Sequence, residues 1–541
     1  MPVVIIDGRE VEIEPGEKLN GIEVAARAGI EIPHYCWHPG LSVVASCRMC
    51  LVETGRRDAQ TGEVQVLPKL VPACQTPATD GTIFVTDSDK VRQARAMVEE
   101  DLLLRHPVDC PICDKAGECR LQDYFFDYGT ERRRADIKPF HSRKRELGPT
   151  VRLFVDRCVM CTRCVRFCRE VAGTSELYVQ NRGAHEEIDV FPGFPLENPL
   201  AGNVVDLCPV GALADKDFLY RQRVWYMRSR PHVCPGCASG CSIWVDQNQD
   251  RIYRIRPREN REVNGWWICD AGRYGWKHVH DARRLTQPLR RDEADGWRSA
   301  DWSRLLPELD ERFRGAERPT LILSPFLTLE EAYLAVEYFR GLPGSSRIVI
   351  GPVPQQGGDR TFADGFTIAA QKCPNRRGIG ELTETMLGAL PSSWQDWMAS
   401  GVDGDVVWVS GGYPEEVFTE QDAAALEAVG LLVVHDLFEH PLARRADVRL
   451  PAVAGLERQG SYVNRGGRLQ SFAPAVRPPA GCRSAGQVFW RLGGRRGLFH
   501  PDEVLREIAE AFPVFAAARP PIDDTGVSLV QQPRQETEVA S

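Results

Sequence analysis

Residues 157–173 read RCVMCTRCVRFCREVAG and set Cys158, Cys161 and Cys164 two residues apart, with Cys168 following after one turn. Three thiols at that spacing can surround one face of an iron–sulfur cubane. Where two four-iron clusters lie side by side, the fourth cysteine of such a run serves the other cluster and a proline follows it. Here Arg169 follows Cys168, and the Cys-Pro pair occurs instead at Cys208-Pro209, in DLCPVGAL. One four-iron cluster on Cys158, Cys161, Cys164 and Cys208 is the economical assignment, and it leaves Cys168 as a buried free thiol. The run is too compact for the usual paired zinc knuckles.

Working outward, HPVDCPICDKAGEC places His106, Cys110, Cys113 and Cys119 together, a second four-ligand set for a four-iron cluster. A neutral imidazole in place of a thiolate removes negative charge and raises the potential, as it does in Rieske centres. Further upstream, IPHYCWHPGLSVVASCRMC carries Cys36, Cys47 and Cys50, with Cys74 beyond. These four suit a two-iron cluster wrapped by a loop; a four-cysteine zinc site is the alternative. Downstream, Cys234, Cys237, Cys241 and Cys269 form a last four-thiolate set, read as a third four-iron cluster with zinc again the alternative. Only Cys373 and Cys482 lie beyond it.

The 541 residues carry a formal charge of -8, with 43% hydrophobic and 26% charged residues, ordinary for a globular protein and unlike a basic nucleic-acid binder. Eighteen cysteines gathered into C-x2-C groups point to metal ligation in a reducing compartment, not to a disulfide framework. The N-terminus lacks the basic and apolar regions of a leader, and no run of 18 apolar residues occurs. Any membrane association is therefore expected to come through partners.

Residues 2–6 and 10–14 around Asp7-Gly8 predict a hairpin, and Leu19–Ala28 a helix ended by Gly29. Hairpin, helix and cysteine loop together are the layout of a β-grasp ferredoxin. Residues 88–105 predict an amphipathic helix capped by Ser88, and the basic stretch 131–145 a solvated linker. Past residue 286, strand-like runs at Thr320–Leu323, Arg347–Ile350, Val406–Val409 and Leu431–Val434 alternate with helix-like Leu329–Arg340 and Ala423–Val429. Such alternation predicts an open, mostly parallel α/β sheet. Ser410-Gly411-Gly412 is a weak phosphate-loop signal and more often a turn. The stretch from Arg519 is expected to be disordered.

These five blocks, in this order, resemble the large iron–sulfur subunit (the G subunit, 75 kDa type) of NADH–quinone oxidoreductase, respiratory complex I. The resemblance covers residues 1 to about 280. It implies a two-iron ferredoxin domain over 1–87, a His-Cys four-iron segment over 88–128 and a ferredoxin-like four-iron domain over 145–228. A further four-iron domain follows over 230–286, then a shortened molybdopterin-oxidoreductase-like α/β domain over 287–518 and a tail from 519 to 541. It further implies one two-iron and three four-iron clusters and no substrate site on this chain. FMN and NADH would sit on a partner subunit. Other expected partners are a small two-iron subunit and cluster-bearing subunits on the quinone side, at the cytoplasmic face of a bacterial inner membrane. Arg157, Arg163 and Arg166 would favour the reduced form of the third cluster.

The alternative is a molybdopterin enzyme such as an NAD-linked formate dehydrogenase large subunit. Those proteins carry Cys-x-Lys-Gly-Arg at the last cysteine, where this chain has Ala271 as the lysine position. Two departures from the resemblance stand out: Ser46 replaces a small turn residue, and Cys168 matches no ligand.

Overall fold

The computed structural model describes residues 1–530 except 58–60, 62–63, 132–133, 139–144, 184, 293–295 and 403. Contacts divide the chain into two units, residues 1–227 with 362–364, and residues 228–361 with 365–541.

The first unit opens with β1 (Val3–Ile6) and β2 (Arg9–Glu12), paired antiparallel with Ile6 opposite Arg9. Asp7 and Gly8 both take left-handed φ, 47° and 81°, the pair that a tight two-residue hairpin turn requires. A mixed sheet forms in the order β2-β1-β5-β3-β4, with β3 (Leu51–Arg57), β4 (Val64–Val66) and β5 (Thr82–Val85). Val4, Ile6, Val24, Val52 and Phe84 are buried in its core.

Helix α1 (Gly21–Arg27) starts two residues later than its apolar pattern suggests, because Asn20 is the better cap. The Asn20 side chain accepts from the nitrogens of Ile22 and Glu23 at 2.9 and 3.1 Å, and Glu23 accepts from the Asn20 nitrogen at 3.0 Å. Gly29, at φ 73°, closes the helix as expected, with Ile30 N donating to Ala25 O at 2.9 Å.

Helix α2 (Asp89–Arg105) forms behind its Ser88 cap, but its buried face is not apolar. The positions turned inward are Val91, Arg95 and Glu99. Glu99 accepts the hydroxyl of Tyr35, and Arg95 donates to Tyr128 Oη at 3.2 Å and Leu51 O at 3.4 Å. The helix is thus seated by a polar spine. Of the basic stretch 131–145, a large part lies outside the described residues; Arg134 pairs with Glu100 at 2.6 Å. Helix α3 is Arg120–Tyr128. The rest of the unit holds β6 (Val151–Leu153), α4 (Arg163–Glu170), β7 (Leu177–Gln180), β8 (Glu187–Val190), α5 (Asn203–Leu207) and β9 (Leu213–Asp215), with β6–β9 and β7–β8 antiparallel.

The second unit begins with an antiparallel sheet of β10 (Arg228–Val233), β11 (Ser242–Asn248) and β12 (Arg251–Pro257), followed by helix α6 (Asp270–Tyr274). An eight-stranded sheet then runs β14-β13-β20-β19-β18-β15-β16-β17. Its strands are β13 (Leu289–Asp292), β14 (Gly296–Ser299), β15 (Pro319–Leu323), β16 (Arg347–Ile350), β17 (Ser392–Ser393), β18 (Val406–Ser410), β19 (Leu431–Asp436) and β20 (Val448–Pro451). From β20 to β17 every pairing is parallel, and at the other edge β13 pairs antiparallel with both β20 and β14. Leu321, Leu323, Trp408 and Val433 join one core, and Ile322, Val407, Val409 and Val434 the other. A sheet buried on both faces is what unbroken apolar strands predict. Helix α7 is Leu329–Arg340, where expected; the helix expected at Ala423–Val429 is Glu420–Ala425, drawn forward by a Thr419 cap.

The tail from Arg519 is a correction to the expected disorder as far as its strand. Val527–Ser528 pairs antiparallel with Arg468–Phe472, and Leu529 N donates to Gly467 O at 2.8 Å. Residues 531–541 lie outside the described residues. Among the described residues, no helix is long and apolar enough to cross a membrane.

Candidate metal centres

The loop after α1 brings the first cysteine set together. Cys36, Cys50 and Cys74 are buried and Cys47 is half-buried. The Cys36 thiol has those of Cys47 and Cys74 as neighbours, and Cys50 has that of Cys74. Those neighbours hold Cys36 well below the usual thiol range, helped by the main-chain N–H groups of Cys47 and Ser46, and push Cys74 and Cys47 up. Ser46 therefore acts through its nitrogen. The residues that bend the loop are its neighbours Ala45 and Arg48, at φ 50° and 60°. Left-handed φ at a non-glycine residue costs about 1–3 kcal/mol and persists only where surroundings enforce it.

The third set repeats the device, with Met160 and Thr162 at φ 47° and 58° on either side of Cys161. Cys158, Cys161, Cys164 and Cys208 line one cavity walled by Leu153, Ile188, Val210 and Leu213. Met160 N donates to Cys158 Sγ at 3.4 Å. Burial raises the thiols of Cys158 and Cys164, and that of Cys161 to about 11.

In the second set Cys113 is buried, Cys119 half-buried and Cys110 exposed. Burial raises Cys113, where Cys110 is an electrostatic neighbour, and lifts Cys119 to about 11, where Cys113 is one. Burial and the charge of Arg157 lower His106 to about 4, which keeps its imidazole neutral and its lone pair free for a metal. Its charged neighbours are Arg157 and Asp109. The three thiols are thus electrostatic neighbours of one another, and His106 is a neighbour of the Arg157–Asp109 ion pair.

The second and third sets touch. Arg120 N donates to Pro209 O at 2.9 Å, and the Arg157 guanidinium meets Asp109 at 2.8 Å. A Cβ on Gly211 would stand 2.2 Å from Cys113 Sγ, so any larger residue there would have to displace that sulfur.

The fourth set belongs to the second unit, and Cys234, Cys237, Cys241 and Cys269 are all buried. Cys234 N donates to Cys241 O at 2.8 Å and closes the loop between β10 and β11. Cys269 caps α6, its sulfur accepting from Gly272 N at 3.3 Å. A Cβ on Gly272 would lie 3.1 Å from Cys234 Sγ. Burial raises Cys269 to about 11, while Lys372 acts to lower it. A lysine thus acts on this set although position 271 carries alanine.

Among the described residues, no group of three His, Cys, Asp or Glu side chains is arranged to hold a single metal ion. Neighbouring thiols are common to the four sets; main-chain N–H groups donate to sulfur in the third and fourth, and a glycine leaves out a Cβ beside Cys113 of the second and Cys234 of the fourth. Those features fit bulky polynuclear centres. The spare thiols of Cys168, Cys373 and Cys482 are buried, and burial raises them to about 12, 12 and 11. The glycine loop after β18 does not offer its amides to a phosphate. Gly412 and Tyr413 donate to Asp436 Oδ1 at 2.7 and 3.2 Å, so a carboxylate already fills that position.

Five family models match in order. They are a 2Fe-2S iron-sulfur cluster binding domain (3–89), the NADH-ubiquinone oxidoreductase-G iron-sulfur binding region (95–134) and the NADH-quinone oxidoreductase subunit 3 ferredoxin-like domain (148–214). The molybdopterin oxidoreductase Fe4S4 domain (227–281) and molybdopterin oxidoreductase (377–495) follow. The NADH-quinone oxidoreductase G subunit of Rickettsia bellii is 34% identical over 336 residues, 61% of this chain and 46% of the relative. The chain is a homologue of that G subunit. The NADH-ubiquinone oxidoreductase 75 kDa subunit of Reclinomonas americana is 36% identical over 64% of this chain and 48% of its own, and the 78 kDa subunit of Candida albicans 37% over 56% and 40%. This G-subunit homologue spans about half the length of the curated relatives it matches. A solved structure titled as an NAD+-reducing [NiFe]-hydrogenase in the H2-reduced state is 26% identical over 41% of this chain and 91% of that one, at a TM-score of 0.34.

Proposed function

We propose that this chain is an iron–sulfur electron-transfer subunit of the peripheral arm of an NADH–quinone oxidoreductase. It would sit between an NADH/FMN subunit and cluster-bearing subunits on the quinone side, at the cytoplasmic face of the membrane. The observation that carries the reading is the packing of the third cysteine set, tied to the second by the Arg120 N to Pro209 O hydrogen bond and to the first by Arg163 and Arg166, whose side chains donate to Trp37 O and Cys36 O. A chain of adjacent redox sites has use for that arrangement; separate structural zinc sites do not.

Cys36, Cys47, Cys50 and Cys74 would hold a two-iron cluster. His106 with Cys110, Cys113 and Cys119, then Cys158, Cys161, Cys164 and Cys208, and finally Cys234, Cys237, Cys241 and Cys269, would each hold a four-iron cluster. When bound, such clusters supply one-electron carriage at potentials set by charge, hydrogen bonding and exposure. The chain's own part is to supply thiolates, to keep water out with Leu153, Ile188, Val210 and Leu213, and to donate N–H groups to sulfur. Because burial favours the neutral thiols, loading must release protons to solvent. No molybdopterin is expected, since Asp436 occupies the glycine loop and position 271 carries no lysine.

Iron, acid-labile sulfide, zinc and molybdenum analysis of anaerobically purified protein tests the reading. One two-iron and three four-iron centres with neither other metal are expected. Stoichiometric zinc or molybdenum would defeat it.

A further inference from the structure

Arg163 and Arg166 on α4 are buried, 9% and 2% exposed. Among the described residues neither forms an ion pair with a carboxylate, whereas Arg157 has Asp109. Burying a guanidinium without a counter-charge costs several kcal/mol, so the missing anion has to be found. Carbonyls take the hydrogen bonds. Arg163 donates to Leu207 O at 3.3 Å, beside Cys208, and to Trp37 O, beside Cys36. Arg166 donates to Ser42 O, to Cys36 O and, at 3.4 Å, to Cys161 O. One nitrogen of Arg166 thus reaches the carbonyls of a first-set and a third-set cysteine. Ser42 is also tied to α4 from its own side, its nitrogen and hydroxyl donating to Glu170 at 2.9 and 2.7 Å.

We propose that Arg163 and Arg166 form a cationic clamp shared by two redox centres. The clamp docks the Cys36–Cys47 loop onto α4, and its charge sets the potentials of the first and third centres together. The counter-charge of the two guanidiniums is the pair of thiolate-ligated centres themselves, one on each side. This rests on the iron–sulfur reading above and deepens it by assigning positioning residues at one junction. Each centre takes up one electron on reduction, adding negative charge beside the clamp, so the clamp favours the reduced form of both.

The test is a mediator-poised titration of the full chain, reduced with dithionite and read by paramagnetic resonance, in wild type, Arg166→Gln, Arg166→Lys and Arg157→Gln. In Arg166→Gln, the two-iron signal and one four-iron signal should both lose at least tenfold in their reduction equilibrium, about 59 mV for one electron. Arg166→Lys keeps the charge and should recover most of both shifts, which a purely structural role would not produce. Arg157→Gln should leave the two-iron signal in place. If only one signal moves in Arg166→Gln, or neither, the clamp is overturned. Should Arg166→Gln fail to hold its centres, Arg163→Gln takes its place. Should that fail too, iron content decides: joint loss from the first and third sets supports the clamp, and loss from the third alone refutes it. A wild type without reducible paramagnetic centres would instead bring down the iron–sulfur reading itself.

Discussion

Gly211 faces Cys113 so closely that a Cβ added to the glycine would lie 2.2 Å from the sulfur. Gly211 follows Cys208 and belongs to the third set, and Cys113 belongs to the second. A contact shorter than any real Cβ makes must be relieved by moving Cys113, because the added Cβ meets Lys115 Cβ and Arg157 Cδ only at ordinary contact distances of 3.4 and 3.7 Å. Gly211→Ala should therefore displace a ligand of the second centre from outside that centre's own segment. Iron per chain should fall by one four-iron centre, with the two-iron signal intact. An alanine variant with full iron content would show that Cys113 can move freely.

The cysteine sets, the hairpin and the parallel sheet were readable because each follows from local spacing. Thiols two residues apart must face one centre, and Ile322 must face away from Leu321 and Leu323 in a strand. What spacing could not show is anything set by a distant partner. The polar inner face of α2 depends on Tyr35 and Tyr128, so its apolar residues misled the expectation. Ala45, Arg48, Met160 and Thr162 carry no glycine signal, yet they make the left-handed bends around Cys47 and Cys161. The return of Val527–Ser528 to a sheet begun at Gly460 leaves no mark in composition either.

His106 has Arg157 and Asp109 as its charged neighbours, and burial keeps its imidazole neutral. If its imidazole is bound, His106→Cys adds a thiolate and must lower that centre's midpoint. Two imidazoles raise Rieske centres on the order of hundreds of millivolts over plant-type ferredoxins, so a drop of at least about 59 mV is a modest demand. A redox titration reads it directly. An unmoved midpoint would mean that the ion pair, not a metal, holds the ring.

Lys372 acts on Cys269 from a segment tied to the fourth loop by the Ala238 N to Gln371 O hydrogen bond of 3.0 Å. Its ammonium is held by Ala369 O at 2.8 Å. Lys372→Gln removes one positive charge and should lower the potential of the fourth centre, leaving the signals of the first three unshifted. A titration in which all four stay put would make the lysine a structural donor only.

His435 and Glu330 in the second unit titrate in opposite senses over the same pH range. Burial lowers His435, held by a hydrogen bond to Arg483 O at 3.0 Å, from 6.5 to about 4. The unfolded chain therefore binds the extra proton between those values, and this contribution is present above pH 6.5 and lost as pH falls toward 4. Burial raises Glu330 from 4.5 to about 7, where its carboxylate accepts from Ser461 N at 2.8 Å. Here the folded chain holds the extra proton, so its contribution is present below pH 4.5 and lost as pH rises toward 7. Each is worth about 3 kcal/mol across its window, and the two slopes largely cancel near pH 5.5–6. Removing either should expose the other. His435→Gln should become less stable, relative to wild type, as pH rises from 5 to 6.5, at up to about 1.4 kcal/mol per pH unit. Glu330→Gln should show the reverse slope. Denaturant midpoints at three pH values measure both, and parallel pH curves for the two variants would show that neither proton is coupled to folding.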